Sequence, residues 1–342
     1  MLKKQLAILM LTAGAFVTVQ ASSVSVYGVM DVGIQSYNTG TQTLTRMSNN
    51  SLSTSRLGFR GTESLGNGLK VNFQLESQIN PMAGTAGSST TNEIFNRESW
   101  VGFSGGFGEV RLGKTDMTLM SELDTYAHFG NAGNFGLHAI SGTSPELGQD
   151  QSNTVKYISP RMGGIQLMAA YATNAVGSTT DAGIDKNSVS LSYEIGKLKL
   201  SVAHQKDDGT TASDKRDATG FAAYYDFGFA SAGISHVTGD TSTTGDVTSK
   251  VTAITGRVPL SSDVALFGVY GMAKNGAQTI DNKGNGVTAG VIKSLSKRTR
   301  LYAAYTIVDN EANSSMRMFN TSTPTSAGLD QKAITVGMTH SF

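Results

Sequence analysis

The chain contains no cysteine. Disulfides therefore do not hold the fold, and thiolate metal sites and cysteine nucleophiles are excluded. Absence of thiols suits a chain that crosses an oxidising compartment before folding. Neither charge is in surplus: 27 Lys and Arg face 26 Asp and Glu, and nothing points to nucleic acid as a partner. Beyond residue 21 no run approaches the ~20 apolar residues of a transmembrane helix. Proline is scarce (5) and glycine abundant (40), yet apolar residues recur in short alternating segments, which excludes a disordered chain. His128, His138, His204, His236 and His340 form no metal-ligand spacing. The acidic residues lack the ligand pattern of a calcium loop, so no metal or cofactor is expected. Gly66-Asn67-Gly68-Leu69-Lys70 lacks the spacing of a phosphate loop and reads as a tight hairpin. No marker of a catalytic triad is visible, and no enzyme is expected.

The opening segment is a charged Met1-Leu2-Lys3-Lys4, an apolar run from Leu6 to Val19, and Val19-Gln20-Ala21. This is the pattern of a secretory signal peptide cleaved after Ala21. The expected organisation is a leader at 1–21 and one domain at 22–342, since no Pro/Ser linker divides the rest. Without Lys3 and Lys4 the net charge becomes −1.

Turn signals set against alternation give sixteen candidate strands: 24–37, 53–64, 69–79, 94–104, 108–115, 153–159, 165–173, 187–195, 198–206, 218–226, 230–238, 250–258, 264–273, 286–294, 299–308 and 331–342. Connections alternate between short and long, the longest being 116–152. An antiparallel up-and-down sheet puts all short turns at one end and all long loops at the other, as outer-membrane barrels do. The expected fold is all-β, a transmembrane antiparallel up-and-down β-barrel of 16 strands. About 20 residues per strand and connection suffice for the ~9–11 that a tilted strand needs to span.

The last stretch, 331–342, sets Ile334, Val336, Met338 and Phe342 against Ala333, Thr335, Gly337, Thr339 and Ser341. A period of two, apolar against small and polar, suits a strand with lipid on one side and a water-filled lumen on the other. Residues 69–78 alternate as cleanly, with Leu69, Val71, Phe73 and Leu75 against Lys70, Asn72, Gln74, Glu76 and Gln78. Val264 to Met272 is apolar on both faces, which fits a subunit interface or a strand under an inward-folded loop. Aromatics near strand ends, among them Tyr27, Trp100, Phe103, Tyr157, Tyr171, Phe227, Phe229, Tyr302, Tyr305 and Phe342, are expected in interfacial girdles.

The same alternation places charge inside. Leu57 and Phe59 face lipid, so Arg56 and Arg60 face the lumen; Glu76 is on the lumen face of the third strand. Arg97 lies near the start of the fourth, and Glu109 and Arg111 alternate with Val110 and Leu112 on the fifth. The longest loop carries Asp116, Glu122 and Asp124 early and Glu146 and Asp150 late. Arginines outnumber glutamates on this wall, which implies mild anion preference, while the loop carboxylates oppose it.

Ser25-Val26-Tyr27-Gly28-Val29-Met30-Asp31-Val32-Gly33, Ser55-Arg56-Leu57-Gly58-Phe59-Arg60-Gly61-Thr62-Glu63-Ser64-Leu65-Gly66 and Gly106-Phe107-Gly108-Glu109-Val110-Arg111-Leu112-Gly113-Lys114 resemble the Gram-negative general porins, most of all their β-proteobacterial branch. Leu295-Ser296-Lys297-Arg298-Thr299 with Tyr302, and the terminal His340-Ser341-Phe342, fit the same pattern. The resemblance implies a homotrimeric, water-filled channel in the outer membrane, surrounded by its lipids, for passive diffusion of ions and small hydrophilic solutes. It implies that the third long loop folds into the lumen and narrows it, and that Arg56, Glu76 and Arg97 lie at the constriction. It also makes Phe342 part of the signal read by the outer-membrane assembly machinery. A channel for one class of small anion, an outer-membrane enzyme and a non-conducting adhesin barrel remain as alternatives.

Overall fold

The computed structural model describes residues 23–87, 93–127, 140–141, 150–173, 185–208, 216–240, 248–277, 280–318 and 326–342. The leader and its junction at Ala21 lie outside the described residues. Sixteen antiparallel strands close on themselves. They are β1 (Ser23–Asn38), β2 in two pieces (Thr43–Asn49 and Arg56–Gly66), β3 (Leu69–Asn80), β4 (Glu98–Gly105), β5 (Gly108–Asp116), β6 (Asp150–Ile158), β7 (Ile165–Ala172) and β8 (Asp185–Ile195). The second half comprises β9 (Leu198–Asp208), β10 (Arg216–Asp226), β11 (Ser231–Asp240), β12 (Thr248–Pro259), β13 (Val264–Ala277), β14 (Ile280–Ser294), β15 (Thr299–Asn310) and β16 (Gln331–Ser341). Among the described residues one helix, α1 (Thr118–Ala127), follows β5.

Closure is made by β1 against β16, in register from Val29↔Ser341 to Asn38↔Lys332. Phe342 extends this ladder: its N–H donates to the Gly28 carbonyl at 3.1 Å and its carbonyl accepts from the Gly28 N–H at 3.2 Å. A closed sheet leaves no unpaired edge, which is what allows strands to lie in hydrocarbon. The two faces differ as the alternation requires. Ile334, Val336 and Met338 are exposed on the outside while Ala333, Thr335 and Thr339 are buried on the inside. The same holds for Val189 and Leu191 against Ser188, Ser190 and Ser192 on β8.

Tyrosines laid over glycines brace the inner wall. Tyr302 of β15 faces Gly337 of β16, whose missing side chain leaves room for the ring. The phenol thereby crosses a whole strand and donates to Asp31 Oδ1 of β1 at 2.8 Å. Asp31 is fully buried and also accepts from the backbone N–H groups of Ser51, Leu52 and Ser53. One carboxylate thus ties the seam of the barrel to the segment that interrupts β2.

That segment explains the doubly apolar strand. Leu52 packs inside the barrel on Phe267 of β13, Ile292 of β14 and Tyr302 and Ala304 of β15. Phe267, the bulkiest inward residue of Val264–Met272, lies under this inward-folded chain, and Leu266, Tyr270 and Met272 face out. The Asn67-Gly68 turn has φ of 50° and 80°, the doubly positive geometry of a two-residue hairpin.

Several boundaries differ from expectation. The expected long connection at 38–52 is partly strand, because Thr43–Asn49 pairs with the long-loop half of β1. The expected loop 274–285 is mostly ladder: β13 and β14 stay paired to Ala277↔Ile280. Trp100, Tyr27 and Tyr302 are not girdle residues. Each sits at an inward position of its strand and packs on the lumen wall, Trp100 being 7% exposed. Residues 116–152 are not without structure either, since α1 begins two residues after Asp116.

α1 lies against the inner faces of β9 to β12. Leu119 and Leu123, one helical turn apart, bury on Ala203, Ala218, Ala222, Val237 and Ala253. Small residues on that wall make room for the helix, and each leucine contributes about 1.5–3 kcal/mol by leaving water. At its start the Thr118 N–H, which has no partner within the helix, donates to Ser188 Oγ at 3.0 Å. Farther along the same connection, Ile140–Ser141 pairs with Arg317–Met318.

Candidate functional site

The charged side chains converge on the inner wall formed by β2 to β6. Ladder register puts Gly58, Glu76 and Glu98 in one row, and Arg60, Gln74 and Trp100 in the next. Gly58 again makes space for a tyrosine: a side chain there would overlap the Tyr27 ring. Tyr27 lies across it and donates to Glu76 Oε2 at 2.8 Å. Arg97, just before β4, donates through Nε to Glu76 Oε1 at 2.6 Å. Both oxygens of this buried carboxylate are thus engaged, one by a charged donor, which makes the bond short and strong.

Arg60 sits with its guanidinium 4.9 Å from the Tyr27 ring centroid. Arg111 stacks on Trp100 at 4.3 Å and donates through Nε to Glu109 Oε1 at 2.8 Å. Among the described residues, Arg56 and Arg60 form no ion pair. The paired arginines are Arg97 and Arg111; Arg56 and Arg60 stand outside an ion pair, although Glu76 attracts Arg56 through space.

Asp116 is the last residue of β5, not a loop residue, and stands directly opposite Asp150, the first of β6. Two carboxylates in that relation repel. Lys156 relieves this: its Nζ donates to Asp116 Oδ1 at 2.8 Å and to the Asp116 carbonyl at 3.1 Å. The lysine is 2% exposed.

Glu122 projects from α1 toward β8, where Ser190 Oγ donates to its Oε1 at 3.5 Å. Burial pushes its carboxyl up to about 7, against the opposing pull of Arg161 and Lys156. Asp124 is on the same helix; its side chain lies outside the described residues, as does Glu146.

Of the nine sequence-derived wall and loop residues, Arg56, Arg60, Glu76, Arg97, Glu109, Arg111 and Asp116 share this wall, and Glu122 lies across from it on α1. Lys156, Glu98 and the tyrosine–glycine contacts were missed. Lys156 was legible, because the apolar Val155 and Tyr157 on either side of it set the outward parity of the strand and the lysine between them must therefore face in. Glu98 shares an inward parity with Trp100 and was masked by reading that tryptophan as a girdle residue. Phe342 is apart from the wall, at the seam.

A sequence model of the family described as Gram-negative porin matches residues 6–313. Outer membrane porin protein 32 of Delftia acidovorans is 29% identical over 358 residues, covering 100% of both chains. Major outer membrane protein P.IB of Neisseria meningitidis serogroup B is 33% identical over 120 residues, 35% of this chain and 33% of that one. Among solved structures, the anion-selective porin from Comamonas acidovorans superposes with a TM-score of 0.79 at 26% identity, over 94% of this chain and 100% of that one. The trimer form of OmpT from Vibrio cholerae is alike in fold alone, with a TM-score of 0.69 at 15% identity over 94% of this chain.

Proposed function

The chain belongs to the Gram-negative porin family, and on that premise we propose a homotrimeric channel of mild anion preference, narrowed by the loop that carries α1. The barrel is an outer-membrane, water-filled pore for passive diffusion of ions and small hydrophilic solutes.

The observation that carries the selectivity is the state of the arginines. Glu76 and Glu109 are each matched by one arginine, and Arg56 and Arg60 remain without an ion pair among the described residues. Screening acts over about 8 Å at physiological salt, so charges across a narrow passage still act on a passing ion. A similar protein being described as anion-selective supports this reading. The lodging of α1 on the inner wall supports a passage narrowed by its loop.

Three narrower parts of the reading have their own tests. The leader is cut after Ala21; intact mass of the membrane form should begin at Ser22, and a species beginning at Met1 would sink the export argument. Phe342 carries part of the assembly signal; its deletion should lower the yield of heat-modifiable trimer, and normal yield would count against it. The channel itself is tested by liposome swelling: neutral sugars should enter at rates that fall with size, and no entry of any sugar would contradict diffusion.

A further inference from the structure

The outer face of the barrel carries a row of like charges at its long-loop end. Lys250 of β12 stands directly opposite Lys274 of β13, and Lys274 directly opposite Lys283 of β14. Their chain neighbours Ser249, Ala273 and Gly284 are buried on the inside, so the lysines point outward. Farther down the same strands, that face carries Ile254, Tyr270 and Val287. At about 4.8 Å per strand, the three side chains spring from a row about 10 Å long. Like charges directly opposite one another destabilise a ladder, and an anion from outside the chain relieves them. Two acids border the row on the β15 side: Asp309, one pair lower opposite Asn285, and Glu311, whose N–H donates to the Lys283 carbonyl at 3.0 Å. The surplus therefore lies toward β12. There Lys250 faces neutral Thr238 of β11 and forms no ion pair among the described residues.

Below the row the same face is hollowed. Ala289, Gly290 and Ala303 floor an apolar depression of about 540 Å³, and Leu266, Tyr305 and Ile334 rim it. Gly268, opposite Ala289, carries the hollow toward β12: the nearest atom to a Cβ there would be 3.8 Å away. Lys274 is six residues from Gly268, or about 20 Å of strand. With the tilt of a barrel strand, the hollow lies about 15 Å below the lysines, half of the ~30 Å hydrocarbon core.

We propose that this face binds a phosphorylated lipid of the outer leaflet, its phosphates on the lysine row and one acyl chain in the hollow. Charge complementarity selects the head, through charge-assisted hydrogen bonds from ammonium to phosphate. The hollow selects the tail, because a lining without partner atoms forfeits dispersion contacts that a flexible chain restores. The inference needs only a barrel in an outer membrane and does not depend on ion selectivity.

The probe is a diphosphorylated, acylated glucosamine disaccharide, added to the refolded protein in detergent micelles. The controls are the same lipid without its phosphates and the same head without its acyl chains. Native mass spectrometry should show the wild type retaining the intact probe and holding both controls at least fivefold more weakly. This comparison needs no variant to fold. Lys250→Gln and Lys274→Gln should each weaken retention about fivefold, as expected for one lysine near an anionic lipid surface. Ala289→Phe fills the hollow from outside and should lower retention of the intact probe while leaving the weak binding of the bare head unchanged. Equal retention of the dephosphorylated lipid overturns the proposal, as does retention indifferent to all three substitutions. Tight binding of the bare head would mean a sugar-phosphate site without a lipid tail and also overturns it. So does an Ala289→Phe variant that loses heat-modifiable trimer yet keeps the probe, because the hollow would then belong to a second copy of the chain.

Discussion

The brace between Tyr302 and Asp31 makes a sharp demand on Gly337. In Gly337→Ala the new Cβ would overlap the end of the tyrosine ring and lie 2.8 Å from the backbone oxygen of Val32. The ring has to leave, and with it goes the 2.8 Å bond to Asp31. Losing a hydrogen bond to a buried charged acceptor costs about 1.5–3 kcal/mol. The backbone contact adds overpacking of about 1–3 kcal/mol, for a total of about 2.5–6 kcal/mol. Tyr302→Phe keeps the ring and loses only the bond, so it should cost about 1.5–3 kcal/mol. Because the alanine already breaks that bond, Gly337→Ala with Tyr302→Phe should cost little more than Gly337→Ala alone; neighbouring sites with a shared partner are not additive. Urea unfolding in detergent micelles measures this, and Trp100, the chain's one tryptophan, reports on the inner wall by fluorescence. An unchanged midpoint in Gly337→Ala, or a double variant equal to the sum of the singles, would refute the brace.

Two further outcomes follow from the loop and its anchor. The Glu122 carboxyl sits at about 7 against an ordinary 4.5, so the docked helix favours the protonated form. Docking is then strongest below about pH 4.5 and weakens as pH rises through 7, by on the order of 2 kcal/mol once screening in a wet lumen is allowed for. Current fluctuations of the open channel should be larger at pH 8 than at pH 5, and Glu122→Gln should remove the difference; equal pH dependence in both would exclude this group. Lys156→Met leaves Asp116 beside Asp150 without its counter-ion, and should cost about 3–5 kcal/mol in urea unfolding. Adding Asp116→Asn should restore most of it, and a single variant of wild-type stability would mean that water already solvates the pair.

The architecture was legible because one physical rule runs through the chain. Lipid outside and water inside impose a period of two, and parity at Leu57 and Phe59 sufficed to send Arg56 and Arg60 inward. What parity cannot give is partnership across the ladder. Arg97 with Glu76, and Lys156 with Asp116, are 21 and 40 residues apart and meet only through register. Proximity to a strand end misled for Trp100, Tyr27 and Tyr302, where parity alone would have placed them in the lumen. α1 was not foreseen because ten residues with two leucines are a weak signal; the helix draws its stability from the small residues of β9 to β12, far away in sequence. The extension of β13 and β14 beyond the expected loop was hidden by polar residues such as Lys274 and Asn282, which suit a ladder end as well as a loop.

The central claim is a water-filled pore whose unpaired arginines set its preference, and reversal potential in a potassium chloride gradient tests it most directly. The wild type should reverse on the anion side, and Arg56→Ala and Arg60→Ala should each move the potential toward cations. A cation-selective wild type, or no movement in either variant, would contradict the account.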